Sequence, residues 1–358
     1  MVYLKKIRIL LVCLAFIITG CGKSNPEDVF KNLKNSVEKT KSYKLSGTME
    51  INNDEESFIY SLDVNYLKDD YYKVTLINQT NNHDQIILKN KDDVYVITPS
   101  LNKSFKFQSE WPDNSSQAYL INNIVKDIEK DKNHEILKDN NGYVIKSKVN
   151  YPNNLELIYQ KVYLDNDKNI KMVEVYNDSD IVKIKVSFSK IDLNANIKEK
   201  DFDVKEYLKE DENNSELNKE DEKNKTTEEC KEESCKNDKK TASIENIIYP
   251  LYIPSNTYLT NSEKLQTERG ERVILTFTGA KNFVLIEEAV IKNDNMEIVP
   301  VYGEPLMLSE SIGALSQNSL RWDKGNMTYY LASTELSIGE MLKVANSLGN
   351  STLVSNTK

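Results

Sequence analysis

The sequence has little with which to perform chemistry. Its 358 residues include two histidines and four cysteines, and neither type falls in a metal-site or nucleophile spacing. His83 sits in Asn81-Asn82-His83-Asp84 and His134 in Asn133-His134-Glu135, polar turn settings that predict solvated surface rings. No G-x-S-x-G elbow, G-x-x-x-x-G-K-[ST] loop or H-E-x-x-H motif occurs. The acid pairs Asp69-Asp70, Asp92-Asp93 and Asp165-x-Asp167 fall at expected turns. Glu287 and Glu288 are neighbours on an expected strand, so they point to opposite faces and cannot act on one bond. No catalytic residue, metal or cofactor is assigned, and an enzyme is not expected. A cationic excess is also missing: 47 Lys and Arg stand against 56 Asp and Glu, a net charge of −9, which argues against nucleic acid and against a polybasic membrane patch.

Long apolar runs are missing as well. The longest, Ile9–Ile18, is well short of the roughly 20 residues that span a bilayer. Its flanks give it another meaning. Lys5, Lys6 and Arg8 precede it, and Ile18-Thr19-Gly20-Cys21 follows with the small residues a signal peptidase requires. Residues 1–20 read as a lipoprotein signal peptide, and Cys21 as the lipidated first residue of the mature chain. Removing that peptide deletes three cations and no acids, leaving 44 cations against 56 acids in 338 residues. Anchoring therefore rests on acyl chains, on the extracytoplasmic face of the cell membrane.

The 338 residues suffice for two cores, given domains of roughly 100–200 residues. Between Lys209 and Lys240, 20 of 32 residues are charged, too few apolar groups to offset ordering entropy. The expected division is 21–205, a charged linker over 206–243, and a second domain over 244–349. Cys230 and Cys235 lie in the linker, where a disulfide, free thiols or, least plausibly, a metal site are open readings.

Before the linker the pattern is mostly period two. Pro26–Thr40 is helical, with Val29, Phe30, Leu33 and Val37 on one side and Pro26, Glu27 and Asp28 suited to a first turn. Alternation then places Tyr43, Leu45, Gly47, Met49 and Ile51 on one strand face, and Phe58, Tyr60, Leu62, Val64 and Tyr66 on the next. Eight further strands are expected at 71–77, 85–88, 94–98, 103–107, 143–149, 155–164, 171–176 and 182–191, with Asn141-Gly142 as the strongest hairpin signal. One helix interrupts them, with its N-cap chosen among Asp113, Asn114 and Ser115 and its apolar stripe at Leu120, Ile121, Ile124, Val125 and Ile128. An antiparallel sheet with one apolar face needs a cover, which the two helices supply.

The lipobox, the serial strands, the stretch Val94-Tyr95-Val96-Ile97-Thr98-Pro99 with Asn102–Ser109, and the block from Trp111-Pro112 to Tyr119-Leu120 resemble LolA-like sporulation and germination lipoproteins of spore-forming Gram-positive bacteria. That family is related to outer-membrane lipoprotein carriers and to the MucB/RseB sensors, and the resemblance covers residues 21–205. It implies a curved antiparallel half-barrel with helices over its concave face. It also implies a non-catalytic, membrane-anchored partner protein in spore envelope or cortex assembly, for example of a cell-wall amidase. The alternative is a carrier or sensor of lipid or lipoprotein acyl chains. Its own anchor and second domain set the chain apart from the freely diffusing carriers.

Past the linker, 272–279 and 282–288 read as two strands about a Gly279-Ala280-Lys281 turn, 327–332 as another, and 337–348 as a helix. This part is similar to a small α+β domain of such lipoproteins and of some anti-sigma factors, which implies protein contact or sensing. Trp111 has two readings, a core aromatic pinning the Pro112 turn or a gate and partner contact. Tyr119, Phe58, Tyr60, Tyr66 and Tyr72 share that ambiguity, as core packing or as the lining of a groove.

Overall fold

A computed structural model describes residues 26–53, 56–91, 93–207, 242–268, 270–290 and 295–348. The signal peptide, Cys21, Asp92, the charged linker, Cys230 and Cys235 lie outside the described residues. Helix α1 (Pro26–Lys39) leads into β1 (Ser42–Asn52), β2 (Ser57–Leu67), β3 (Tyr71–Asn78), β4 (Asp84–Asn90), β5 (Asp93–Thr98) and β6 (Lys103–Phe107). Helix α2 (Ile121–Lys130) follows, then β7 (Glu135–Asp139), β8 (Gly142–Lys148), β9 (Tyr159–Leu164), β10 (Ile170–Tyr176) and β11 (Val182–Asp192). The strands pair as antiparallel neighbours in the order β6-β5-β4-β3-β2-β1-β11-β10-β9-β8-β7, an open sheet that does not close on itself. An open antiparallel sheet in this order is consistent with the expected half-barrel.

The alternation seen in the sequence becomes two faces. One buries Tyr43, Leu45, Met49, Leu62, Val64 and Val74 against Val29, Leu33 and Val37 of α1 and Ile124, Val125 and Ile128 of α2, so helices fill the expected concave face. The other carries a smaller cluster, Tyr71, Ile86, Leu88, Tyr95 and Ile97, capped by Phe202 from a 3-10 turn (Glu199–Phe202). Each fully buried Leu or Phe in such a core contributes about 1.5–3 kcal/mol. The hairpin between β7 and β8 turns at Asn140-Asn141. Gly142 there takes φ +149°, and a Cβ would lie 2.0 Å from the Leu164 carbonyl oxygen, so only glycine lets β8 begin beside β9.

Three details depart from expectation. Strand β7 has an almost wholly exposed sequence and so lacks the alternation that marks the others. Strand β9 starts at Tyr159 rather than Leu155, and Leu155 is 81% exposed in the preceding loop. None of Asp113, Asn114 and Ser115 caps α2: Leu120 occupies the N-cap without a side-chain bond. The polar groups of that block are used across the chain instead. Ser116 N–H donates to the Asn150 carbonyl and Asn150 N–H to Ser116 Oγ, each at 2.7 Å, while Asn123 Nδ2 donates to the Pro112 carbonyl at 2.7 Å.

A second open sheet is built from β12 (Thr257–Thr267), β13 (Gly270–Gly279), β14 (Phe283–Ala289), β16 (Glu304–Met307), β17 (Ile312–Ser316), β18 (Ser319–Lys324) and β19 (Met327–Ala332), in the order β12-β13-β14-β19-β18-β17-β16. Helix α3 (Ile338–Asn346) packs Met341, Leu342, Val344 and Ala345 into its core. The helix expected over 337–348 is present, and a capping box between Ser337 and Glu340 starts it. Between β14 and β16 the chain sends β15 (Glu297–Val301) to the larger sheet, where it lies parallel to β6. That strand was not legible in the sequence.

Candidate binding cleft

The two sheets meet around buried polar contacts. Lys103 Nζ, on β6, donates to Asp323 Oδ1 at 2.6 Å and to Thr328 Oγ1 at 2.9 Å, from side chains 4% and 0% exposed for the ion pair. Burial holds Lys103 below the ordinary lysine pKa, with Asp323 opposing that shift. The Ile312 N–H donates to Gln85 Oε1 and the Tyr60 hydroxyl to the Ser309 carbonyl, both at 2.6 Å. Buried polar groups need such partners.

Beside this seam lies a cleft of about 470 Å³, within the roughly 300–1,000 Å³ range of ligand sites. One wall carries Ile51, Ile87, Trp111, Tyr119 and Tyr151; the facing wall carries Leu251, Leu306, Met307, Leu308 and Leu342. Lys183 and Lys343 stand in it with Glu156, which Lys343 approaches at 3.1 Å. Two other surface hollows, near β8 and near α1, measure about 550 and 540 Å³. Neither joins both sheets.

Of the aromatics singled out from the sequence, Trp111 and Tyr119 line this cleft. Tyr60 reaches its wall through Ser309. Tyr66 and Tyr72 lie deeper in an aromatic run: Tyr43 stacks on Tyr66 at 4.7 Å, Tyr66 meets Tyr72 at 5.1 Å, and Tyr72 meets Trp111 edge-on at 5.9 Å. Phe58 packs partly buried against the same core. Trp111 is a core residue, 2% exposed, that also forms part of the cleft wall.

The histidines are not the solvated groups expected. His83 is half-buried, with Nδ1 3.4 Å from Ser100 Oγ, and burial lowers its pKa against the pull of Asp84 and Asp323. His134 lies half-buried with its ring 5.2 Å from that of Phe30. Glu287 and Glu288 do diverge. Glu287 is fully buried and accepts from Ile248 N–H at 3.0 Å, burial raising its pKa to about 7, whereas Glu288 pairs with Arg272 at 3.1 Å. Asp127, beneath the Trp111 block, is pushed up to about 6 by burial. Among the described residues no group of three or more His, Cys, Asp or Glu could hold a metal ion, and no helix is long and apolar enough to cross a membrane.

Sequence reasoning missed Leu251, Leu306, Met307, Lys183 and Lys343. They come from four separate segments, and only the packing of the sheets unites them. The apolar run Pro305-Leu306-Met307-Leu308 was the one available signal.

An open sheet plugged by two helices is joined by a strand to a second open sheet, and an apolar cleft lies between them. Comparison with known proteins places the chain further. Residues 4–202 match the sporulation protein YdcC-like family, and the chain is 33% identical over 333 residues, 93% of each protein, to the sporulation protein YdcC of Bacillus subtilis strain 168. The chain belongs to that family. Similar solved structures include MucB (11% identical, TM-score 0.33, covering 91% of this chain and 98% of that one). The GerS lipoprotein–CwlD amidase complex of Clostridioides difficile is 17% identical, with a TM-score of 0.29 over 47% of this chain and 95% of that one. A LolA superfamily protein of Nitrosomonas europaea is 12% identical, with a TM-score of 0.29 over 51% and 99%.

Proposed function

We propose that the chain is a non-catalytic lipoprotein of sporulation or germination, anchored through Cys21 on the extracytoplasmic face. There it docks a protein partner in spore envelope or cortex assembly, such as a cell-wall amidase. The observation that carries this reading is the cleft. Both sheets contribute to it, it is mostly apolar, and Leu251 in its lining is 73% exposed. Apolar surface left open to solvent in such a cleft suits an interaction site. The partner reading predicts a stoichiometric complex of the mature chain with a sporulation amidase on size-exclusion chromatography, and palmitate labelling lost in Cys21→Ala. Absence of labelling in the native chain would remove the anchor. Failure to complex with any sporulation cell-wall enzyme would remove the partner role.

One observation favours a second reading, that of a carrier or sensor of acyl chains: the cleft volume suits a lipid tail as well as a side chain. Lipid copurifying with the mature chain, identified by mass spectrometry, would decide for it.

A further inference from the structure

We infer that the free edge of β12 takes up an extended segment of a partner protein as an antiparallel eighth strand, with basic and apolar side chains alternating on the face it shares with Glu263 and Leu265. This rests on the partner-protein reading for its occupant, and it does not use the cleft. Among the described residues the two open sheets leave four edges, β7, β12, β15 and β16. An open edge invites pairing with any extended chain, so proteins shorten it, charge it or place proline in it. Three of the four are treated in this way. Strand β7 has five residues, of which Glu135, Lys138 and Asp139 are charged. Strands β15 and β16 have five and four residues and carry Pro300 and Pro305. The Glu297 N–H donates to the Asn102 carbonyl next to β6, and the Leu308 N–H to the Ser311 carbonyl at the turn between β16 and β17. Alternation then turns positions 300 and 305 outward, where each proline removes a donor from the edge itself.

Strand β12 is neither short nor interrupted by proline. It runs for eleven residues, and Tyr258, Leu259 and Leu265 on it are 65%, 39% and 38% exposed. A bulge between Leu259 and Asn261 leaves Asn261–Thr267 as the regular run paired with β13. The cation in that run is folded back: Lys264 Nζ lies 2.8 Å from Glu271 Oε2 and 3.2 Å from the Ile244 carbonyl, so its charge is answered within the chain. Thr267 and Gly270 pair across a two-residue turn, which sets the alternation of the main chain. Asn261, Glu263 and Leu265 bond β13, and the N–H and C=O groups of Ser262, Lys264 and Gln266 point outward. These groups are what recognition by strand addition requires. The side chains choose among strands. Glu263 pairs with Ile274, Ile274 with Ile286 and Ile286 with Tyr330, a row across one face of the sheet. Glu263 is exposed on that face, and Arg272, opposite Leu265, is already paired with Glu288 at 3.1 Å. A new neighbour therefore gains most from a cation beside Glu263 and an apolar group beside Leu265. The net charge of −9 favours a basic segment in the same sense.

The test uses the mature full-length chain and a fluorescein-labelled nine-residue peptide of threonines with lysine and valine alternating at its even positions. Fluorescence polarisation should show saturable binding, weakened at least tenfold when glutamate replaces each lysine. N-methylation of alternate amides should weaken binding at least tenfold along one edge of the peptide and change it less than twofold along the other, a difference that side-chain charge and hydrophobicity cannot produce. Ser262→Pro and Gln266→Pro keep the bonds to β13 and should each abolish binding at an unchanged melting temperature, whereas Ser262→Ala should not. Glu263→Lys should reverse the preference between the lysine and glutamate peptides. Should a proline variant fail to fold, the two methylated peptides decide. No saturable binding, equal binding of the methylated peptides, or binding that survives both prolines would overturn the inference. So would a native dimer, seen by light scattering, that the prolines convert to monomer, because the occupant would then be a second copy of this chain. A native complex with a sporulation cell-wall enzyme that survives both prolines would overturn the β12 assignment while leaving the partner role intact. Peptide binding as expected with no such complex would uphold the edge site and count against the partner role instead.

Discussion

Removing one partner of the Lys103–Asp323 pair should destabilise the protein far more than removing both. The two charges lie 2.6 Å apart with side chains 4% and 0% exposed, and they tie β6 of the larger sheet to β18 of the smaller. At an effective dielectric of about 20 their attraction is about 6 kcal/mol, and withdrawing each ion from water costs several kcal/mol. The pair therefore adds little net stability, but either charge alone is costly. Among the described residues, Asp323→Ala leaves the Lys103 ammonium with Thr328 as its hydrogen-bond acceptor, and Lys103→Met leaves Asp323 with Thr328 as its side-chain donor; each should cost about 3–5 kcal/mol. In urea unfolding at pH 7.5 the midpoint should fall with little change in slope, accompanied by a drop in melting temperature on the order of 10 °C. The double variant Lys103→Met/Asp323→Leu should recover most of this loss. Single variants costing under about 1 kcal/mol, or a double variant costing the sum of the two, would refute the reasoning.

Three further outcomes are expected. Asp127 has a folded pKa near 6, above its unfolded value of about 3.9. Its contribution to stability is thus fully present below pH ~4 and lost as the pH rises through 6, so Asp127→Asn should stabilise by roughly 1–3 kcal/mol at pH 7.5 and by nothing at pH 4 in paired denaturation curves; equal effects at both pH values would contradict this. Trp111→Ala, at a 2% exposed site packed on Tyr72, should cost about 3–5 kcal/mol, and a loss below 1 kcal/mol would show that the ring is not part of the core. Cutting a specific protease site placed between residues 209 and 240 should leave two fragments that co-elute on size-exclusion chromatography, because β15 pairs with β6 and the ion pair spans the seam; separate elution would deny that the sheets form one body.

Most of the larger sheet was legible because alternation reports burial directly. Each strand from β1 to β6 buries one face under helices or both faces between two clusters, so its apolar residues recur with period two or fill a short run. Helices α1 and α3 were equally plain, each from its helical apolar spacing. The exceptions have physical causes. Strand β7 buries almost nothing and so writes no pattern. The capping residues before α2 were indistinguishable from residues serving a long-range loop, because the same hydroxyl and amide groups suit both tasks. Strand β12 is exposed along nearly its whole length, and β16 to β18 are short.

Local pattern by itself determined where the chain extends, where it coils, and which aromatics go inside, since these follow from period, caps and turn residues acting over a few positions. Tertiary structure alone decided that β15 leaves its own sheet to run parallel to β6, nearly two hundred residues earlier, and that Lys103 finds Asp323. The cleft is the sum of those decisions. Its walls come from segments that share no sequence period, and no side chain in it carries a mark of its neighbours until the two sheets are held together by backbone pairing and a buried charge.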